Sequence, residues 1–520
     1  MLCSCGNVST KEPDANVVDK QELTSTEPDD ALYNVLTVSN EAVQENFKGF
    51  GGLYYAYNYI PEDEKFGDDR KYTDEMQKIE LERLVETGST IVRTQYSPAW
   101  AYNLETNKWD FETDYMKGFY EYLDDMKECG FDVALNMDWS TTYIRSEKGY
   151  NNYGYNPFYI LGKGDAKKCD ALYFQWIVDS LQELYARGYD NIKYIFAFTE
   201  PMNYNTMKEF DAAYESWRMY TVGIHKALQT AGLRERVKIV GPNTADYYIS
   251  LAEKEGITRW ESIERIAEDP EVIEAIDILS HHTYIRTEQE TINYLEWTEF
   301  LERCVEIADS IEKPFWLDEG EWMYNAMPET ERVEYISNGY YATQLAVKMV
   351  AAMNTSVQGV IRWTLTDQYW PNLTQTSDDG WLNGCHLHGF LPNMLDSTIP
   401  RLSYYSYSLI AKYSVCDEGD SVIYPLKQKR GVYGTCVKLA DGNITYIVVN
   451  ANAGPMDIKI KSENGLSDGK TLYRRVFERD NTVATTQARI PGIDTEYQNV
   501  GNYITDVIQG GSVYVYTTIK

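Results

Sequence analysis

The sequence predicts an α/β fold in which a (β/α)8 TIM barrel is followed by a C-terminal β-sandwich. Up to residue 363, apolar segments alternate with amphipathic helices at intervals of mostly about 40 residues, and eight such units close a barrel. Two of these segments end in a glutamate, Glu200 or Glu319. After about residue 400, short alternating strands between Gly, Asn and Asp turns replace the helices, which is typical of a sandwich. At 520 residues the chain exceeds the size at which one core stops growing.

The eight predicted barrel strands follow one another in a regular order. Three of the helices between them end at Gly88, Gly130 or Gly188, and glycine is the usual residue just past the end of a helix. The predicted strands end near residues 52, 93, 136, 200, 241, 282, 319 and 363. This numbering makes Glu200 the end of the fourth strand and Glu319 the end of the seventh.

Both glutamates close strands that are predicted to be buried on two faces. Residues 313–322 (KPFWLDEGEW) contain an apolar run that begins after Pro314 and ends at Gly320, and residues 191–201 (NIKYIFAFTEP) have the same form. The carboxyl ends of barrel strands build the site in such folds. Cleavage of a glycosidic bond needs at least two carboxyl groups at the site, since one must be a protonated acid and the other an anion. The alternative is that each glutamate only caps the next helix.

The chain divides into four predicted regions. Residues 1–31 are polar and acidic and predict a disordered N-terminal tether. Residues 32–48 contain strands that we expect to join the sandwich. The barrel occupies residues 49–400, and the sandwich occupies residues 401–520.

The composition excludes several classes of partner. A net charge of -32 argues against nucleic acid, because phosphate binding needs clustered Lys and Arg. No apolar run reaches 18 residues, so we expect no transmembrane segment. With 44 tyrosines and 12 tryptophans against 15 phenylalanines, the chain favours aromatic side chains that carry a polar tip. Such side chains suit sugars, although most of them must fill core and surface.

The N-terminus carries an unusual cysteine motif. Residues 2–5 (LCSC) look like the end of a bacterial lipoprotein cleavage box, in which Cys5 would be the lipidated residue. No charged start and no apolar stretch precede it, so we interpret it as a truncated or mis-started export signal. The expected location is extracellular or at a bacterial cell surface, with a lipid anchor at Cys5. The other six cysteines form no CxxC pair and no evident disulfide framework.

Three short motifs stand on the strands where a known group of enzymes has similar ones. Residues 49–52 (GFGG) look like the opening strand of glycoside hydrolase family 30. Residues 280–284 (SHHTY) and 363–367 (WTLTD) look like the sixth-strand and eighth-strand motifs of family 39. With acids on strands four and seven, the chain resembles the clan A retaining glycoside hydrolases. The resemblance implies hydrolysis of O-glycosidic bonds, β-linked ones in particular, in an oligo- or polysaccharide by double displacement, without a metal or other cofactor.

The resemblance also implies roles for individual residues. Glu200 would be the general acid/base and Glu319 the nucleophile, with Arg93 keeping Glu319 ionised. His282 and Tyr284 would orient the two acids by hydrogen bonds, and Trp363 would form the floor under the sugar. The remaining residues on the predicted substrate face are Asn136, Trp139, Trp322, Asp367 and Trp370. For the residues other than the acids the alternative is an ordinary structural role, a rim salt bridge for Arg93 and core packing for Trp363.

Two positions leave alternatives open. The clan usually has Asn before the acid/base, where it contacts the sugar 2-hydroxyl, but this chain has Thr199. Either Asn203 or Asn243 would then supply that contact, or the sugar has an axial or substituted C2. Glu321 competes with Glu319 for the nucleophile, because strand alternation puts both acids on the same face.

Two other classes of protein compete with a glycosidase. A metal hydrolase would use His281, His282 and residues 385–388 (CHLH), but adjacent histidines point to opposite faces of a strand and no familiar carboxylate set accompanies them. A non-catalytic, surface glycan-binding lipoprotein is the stronger alternative, because Thr199 breaks the usual motif. The presence of both Glu200 and Glu319 favours a glycosidase over this non-catalytic alternative.

Overall fold

A computed structural model describes residues 19–22, 27–60, 72–137, 144–147, 155–202, 210–245, 260–285, 294–324, 329–369, 385–427, 429 and 431–520. Three short strands precede the barrel: β1 (Asp19–Glu22), β2 (Asn34–Thr37) and β3 (Gln44–Phe47). Two single turns of 3-10 helix, Asp30–Leu32 and Ala56–Asn58, also lie in this first part of the chain.

Eight parallel strands close into a barrel, which confirms the predicted fold class. Every neighbouring pair around the ring is parallel, as βα units require. In chain order the strands are β4 (Gly49–Leu53), β5 (Ile91–Gln95), the separate hairpin strands β6 (Tyr102–Asn103) and β7 (Lys108–Trp109), then β8 (Asp132–Asn136), β9 (Ile192–Phe196), β10 (Lys238–Ala245), β11 (Ile278–Ile285), β12 (Phe315–Tyr324) and β13 (Gly359–Arg362).

Helices connect the barrel strands and cover their outer faces. They are α1 (Asp74–Glu86), α2 (Asp114–Glu128), α3 (Pro157–Gly162), α4 (Ala166–Ala186), α5 (Phe210–Thr230), α6 (Glu261–Ala267), α7 (Pro270–Ala275), α8 (Tyr294–Ser310), α9 (Glu329–Ser337), α10 (Gly339–Met353) and α11 (Leu402–Ala411). Gly88 after α1 has a φ of +70°, and a Cβ there would meet the Lys412 backbone at 2.2 Å. Both observations require glycine at this helix end. Among the described helices, none is long and apolar enough to cross a membrane.

Two sheets form the C-terminal sandwich. After the short pair β14 (Gln368–Tyr369) and β15 (Cys385–His386), the strands are β16 (Ser421–Pro425), β17 (Val432–Lys438), β18 (Ile444–Asn450), β19 (Met456–Lys461), β20 (Leu472–Glu478), β21 (Ile493–Gln498), β22 (Tyr503–Ile508) and β23 (Ser512–Thr517). The large sheet has the order β1-β21-β20-β23-β18-β17-β16-β3, and the small one has the order β2-β19-β22. The structure thus places β2 and β3, which precede the barrel in sequence, in the sandwich.

The large sheet is buried on both faces and fixes the sandwich to the barrel. Along β18, Tyr446 and Val448 pack toward the small sheet, whereas Ile447 and Val449 belong to the core that continues into the barrel. Helices α10 and α11 contact this second face. This arrangement explains why β18 is apolar almost throughout, since a strand covered on both sides loses the alternation of a half-exposed one.

The N-terminal segment differs from the expected free tether. Strand β1 pairs in parallel with β21 at the edge of the large sheet. Glu27 and Asp30 each accept a hydrogen bond of 2.6 Å from Nζ of Lys459, whose side chain is fully buried. Composition did not reveal this attachment because main-chain pairing and ion pairs need no apolar side chains.

We predict that the double variant Glu27→Gln, Asp30→Asn has a lower Tm than the wild type at pH 7, because the buried Lys459 ammonium then loses both counter-charges. Hydrogen bonds from Lys459 hold the pKa of both carboxyls below their usual range. A lowered folded pKa gives stability that is present above the unfolded pKa, about 4, and is lost as the pH falls through the folded value. The difference in Tm should therefore shrink on acidification. The variant Glu41→Gln, Glu45→Gln removes the same charge from exposed positions and should melt like the wild type.

Candidate active site

The two glutamates meet at the carboxyl end of the barrel. Glu200 follows β9, Glu319 lies in β12, and both side chains are buried. Nδ1 of His282 lies between them, 2.9 Å from Oε1 of Glu200 and 3.4 Å from Oε1 of Glu319. One oxygen of each carboxylate and this nitrogen all lie within 4.8 Å of one another. The close approach of these oxygens is compatible with the spacing of about 5 to 5.5 Å between the two carboxyl groups of retaining glycosidases, which is shorter than the spacing of about 6.5 to 9.5 Å in inverting ones.

Arg93 connects four groups of the site through one buried guanidinium. Nη1 donates to Oε2 of Glu319 at 3.0 Å and to the main-chain oxygen of Asp318 at 3.1 Å. Nη2 donates to Oγ1 of Thr199 at 3.3 Å and to Oδ1 of Asn243 at 3.2 Å. The guanidinium also lies over the Phe196 ring at 4.5 Å. A cation fixed this closely favours the ionised form of Glu319.

His282 is surrounded by carboxylates. Burial acts to lower the pKa of its imidazole, but the charges of Glu319 and Asp318 and the hydrogen bond to Glu200 outweigh burial and raise the pKa above its ordinary value. Oδ1 of Asp318 lies 3.7 Å from Nε2, on the opposite side of the ring from Glu200. The ring can therefore carry a positive charge between three acids.

Asp318 and Asn243 are site residues that the sequence analysis did not place there. Asp318 was not considered at all, and Asn243 only as an alternative contact for a sugar hydroxyl. The register between β11 and β12 shifts between His281 and His282, so β12 carries one extra residue. The register between β10 and β11 shifts between Gly241 and Thr244, so β10 also carries one extra residue. Nδ2 of Asn243 donates to Oδ2 of Asp318 at 2.5 Å. Two bulges thus turn these side chains into the site.

The backbone around Glu200 is unusual. Glu200 has a φ of +47° and Asn243 a φ of +58°, and the Glu200 N–H donates to the Asn243 carbonyl at 2.8 Å. Residues other than glycine rarely adopt such angles, and surrounding contacts must hold them there. Oγ1 of Thr199 accepts from Nδ2 of Asn136 at 2.8 Å as well as from Arg93. Asn136 is thus hydrogen-bonded to Thr199, the residue before Glu200, and a contact of either residue with a sugar stays a prediction.

Trp363 and Asp367 follow the eighth barrel strand. The Trp363 ring contacts the Tyr55 ring edge-on at 6.3 Å, and Tyr55 in turn stacks on Tyr57 at 5.3 Å, so these aromatic rings form a continuous group at the end of the first and eighth strands. Both oxygens of Asp367 accept hydrogen bonds from Arg401, at 2.8 and 2.7 Å. This bidentate pair ties Asp367 to the start of α11.

Six other residues of the predicted site have side chains that lie outside the described part of the structure. Trp139, Asn203 and Trp370 lie outside the described residues. For Tyr284, Glu321 and Trp322 the structure gives the backbone, in which Tyr284 of β11 pairs with Glu321 of β12. Their substrate contacts stay predictions.

His281 and His282 point in opposite directions, as expected for neighbours on a strand. The His281 ring lies 5.4 Å from that of Phe300 on α8, away from the barrel interior. Glu200, His282 and Glu319 could each offer one ligand atom to a metal ion. A histidine that binds a metal must be a neutral imidazole, however, and the acids around His282 raise its pKa and so favour the protonated ring.

Comparisons with solved structures show the same fold in glycoside hydrolases. The chain is similar to a GH30 endoxylanase from Clostridium papyrosolvens C71, with a TM-score of 0.58 and 12% identity over 93% of this chain and 99% of that one. It is similar to the GH39 enzyme from Xanthomonas axonopodis pv. citri, with a TM-score of 0.57 and 12% identity over 93% and 97% of the chains. A monomeric β-xylosidase from Caulobacter crescentus CB15 gives a TM-score of 0.57 and 13% identity over 93% and 99%.

These neighbours include both families that the sequence motifs resemble, and at such low identity the likeness establishes the fold. It covers the barrel together with the sandwich, since more than nine-tenths of this chain aligns. No protein-family profile and no curated protein matches the sequence.

We predict that Arg93→Gln lowers the free energy of unfolding by about 3 to 5 kcal/mol, because it leaves the buried Glu319 carboxylate without its cation. Denaturant unfolding at pH 7 measures this difference. Arg145→Gln is the matched control, since Arg145 pairs with Asp170 at the surface and its side chain is 43% exposed. That change should cost no more than about 1 kcal/mol. Equal losses in the two variants would contradict a stabilising role for the buried pair.

Proposed function

We propose that the protein is a retaining glycosidase that hydrolyses O-glycosidic bonds, with Glu319 as nucleophile and Glu200 as general acid/base. The observation that carries the proposal is the pair of buried carboxylates from barrel strands four and seven, with oxygens within 4.8 Å of each other. The fold that positions them is shared with enzymes of this activity. The close approach of the two acids supports the retaining mechanism, because inverting enzymes hold their acids farther apart, at about 6.5 to 9.5 Å.

In the first step, an oxygen of ionised Glu319 forms a bond to the anomeric carbon while the bond from that carbon to the leaving oxygen breaks. Glu200 transfers its proton to the leaving oxygen, so the leaving group departs as a neutral alcohol. Arg93 supports this assignment, because its contact with Oε2 of Glu319 keeps the nucleophile anionic.

In the second step, Glu200 is a carboxylate and takes a proton from water. The water oxygen attacks the anomeric carbon and the ester bond to Glu319 breaks, which restores both acids to their initial states. His282 touches Glu200 at 2.9 Å and can donate to it whenever Glu200 is ionised.

We further propose a β-linked oligo- or polysaccharide as substrate. One of the solved structures with this fold is described as a β-xylosidase, a name that specifies a β-linked sugar. The aromatic group of Trp363, Tyr55 and Tyr57 beside the acids offers apolar faces with polar tips, which suit the faces of sugar rings. For Thr199, the contacts to Arg93 and Asn136 already fill both acceptor positions of its hydroxyl, so toward a sugar it could act as donor only.

An extracellular or cell-surface location, with lipid attachment at Cys5, is part of this proposal and rests on the sequence motif at residues 2–5. A glycan polymer is accessible there. The non-catalytic glycan-binding alternative would use the same surface but predicts no turnover, so an assay of aryl β-glycosides and β-linked glycans separates the two.

Replacing either acid should change turnover in a different way. Glu319→Ala should abolish hydrolysis of every substrate, because no nucleophile remains. Glu200→Ala should slow substrates with poor leaving groups far more than activated aryl glycosides, whose leaving groups need little protonation. Azide added to the Glu200→Ala variant should raise its rate and, with a β-glycoside, yield a β-glycosyl azide by attack on the glycosyl-enzyme. Steady-state kinetics and product analysis by NMR measure both effects.

The control is Glu302→Ala, which removes an exposed glutamate from α8 and should leave all rates unchanged. If Glu200→Ala loses activated and unactivated substrates equally and does not respond to azide, Glu200 is not the acid/base. Chelation with EDTA should not reduce the rate, whereas loss of activity on chelation would favour a metal at Glu200, His282 and Glu319.

A further inference from the structure

Asp318 is a buried carboxylate beside the two glutamates, and the double displacement does not use it. Its side chain is fully buried, and its Oδ2 accepts a hydrogen bond from Asn243. Within the described part of the chain Oδ1 has no hydrogen-bond partner, and it lies 3.7 Å from Nε2 of His282, which also has none. A buried carboxylate is costly unless a nearby charge compensates it. The imidazole facing Oδ1 is the group placed to do so.

Both nitrogens of His282 face carboxylates. Nδ1 faces Glu200 and Glu319, and Nε2 faces Asp318. A neutral imidazole carries only one N–H, so it would present a lone pair to an anion on one side. The imidazolium presents a donor to each side. The geometry therefore selects the doubly protonated ring.

The charges around His282 come from three neighbouring elements, and a fourth supplies a neutral side chain. Glu200 faces it from the segment after β9, and Asp318 and Glu319 face it from β12. Arg93 of β5 is the nearby cation, bound to Glu319, and Asn243 of β10 is neutral. While Glu200 holds its proton, Asp318 and Glu319 are two anions against the one cation Arg93, and this balance still favours a positive charge on the ring, in agreement with its raised pKa.

We propose that Asp318 is a positioning residue that holds His282 in its doubly protonated form, so that Nδ1–H stabilises Glu200 each time Glu200 becomes ionised. The inference rests on the proposed function, because Glu200 becomes ionised when it protonates the leaving group. His282 keeps its proton throughout, and the proton that moves is the one on Glu200. Loss of the His282 proton at high pH removes this donor, so the alkaline limb of kcat/KM reports the coupled titration of His282 and Glu200.

The direct test is the titration of the His282 ring by NMR in the full-length protein. The chain has only five histidines, so the ring signals can be resolved, and His282→Gln identifies the signal of His282. Asp318→Asn keeps the size of the side chain but removes its charge, and should lower the titration midpoint of His282 by about one pH unit or more. Asp318→Glu keeps the charge and should preserve most of the wild-type midpoint. The control is Asp132→Asn, which removes a carboxylate at the amino end of barrel strand β8, away from the site at the carboxyl ends of the strands. It should leave the titration midpoint of His282 unchanged.

The pH midpoint of the alkaline limb of kcat/KM should shift together with the titration midpoint of His282. It should be lower by a similar number of pH units in Asp318→Asn and should lie close to the wild-type value in Asp318→Glu. A purely structural role would lower the rate at all pH values without moving the limb. An unmoved His282 midpoint in Asp318→Asn overturns the proposal. So does a wild-type midpoint below the ordinary value of about 6.5, which can be measured even if the variant fails to fold. The titration needs no substrate, so failure to cleave any glycoside overturns the proposed function, whereas an unmoved titration overturns the role of Asp318 alone.

Discussion

The balance of buried charge at the carboxyl end of the barrel is the constraint on which the site depends. Three carboxylates, those of Glu200, Asp318 and Glu319, are held out of water there together with the Arg93 guanidinium and the His282 imidazole. Charges in such a setting are tolerated only when hydrogen bonds and opposite charges surround them. Arg93 alone contacts four acceptors. This requirement fixes the side chains in place before any ligand binds, which is the preorganisation that catalysis needs.

The barrel brings these groups together from distant parts of the sequence. Arg93 is supplied by the second barrel strand, Asn243 by the fifth, His282 by the sixth and Glu319 by the seventh. The sandwich supports the seventh strand from outside, because its large sheet packs against α10, which in turn contacts β12. A site made of strand ends within such a packed frame has little freedom to rearrange.

The regular parts of the fold could be predicted because their signals are local. Alternation of apolar strands with amphipathic helices located all eight barrel strands, and the two acids predicted at strand ends indicated the candidate site. Arg93 was placed correctly beside Glu319 by the family resemblance, and the structure adds its contacts to Thr199 and Asn243. The attachment of residues 19–22 and 27–30 to the sandwich was missed, because it depends on main-chain pairing with β21 and on a buried lysine 429 residues from Asp30.

The sequence by itself determined where the eight barrel strands lie, and hence that Glu200 and Glu319 come to the same end of the barrel, because the apolar run of a strand is a local property and parallel strands share one direction. Only the tertiary structure decided that Asp318 and Asn243 enter the site. Strict alternation would place Asp318 on the face opposite to Glu319, but a bulge opposite His282 adds one residue to the seventh strand and turns both acids inward. A bulge depends on how two strands pair, so it is a property of the closed barrel and cannot be predicted from the sequence of one strand alone.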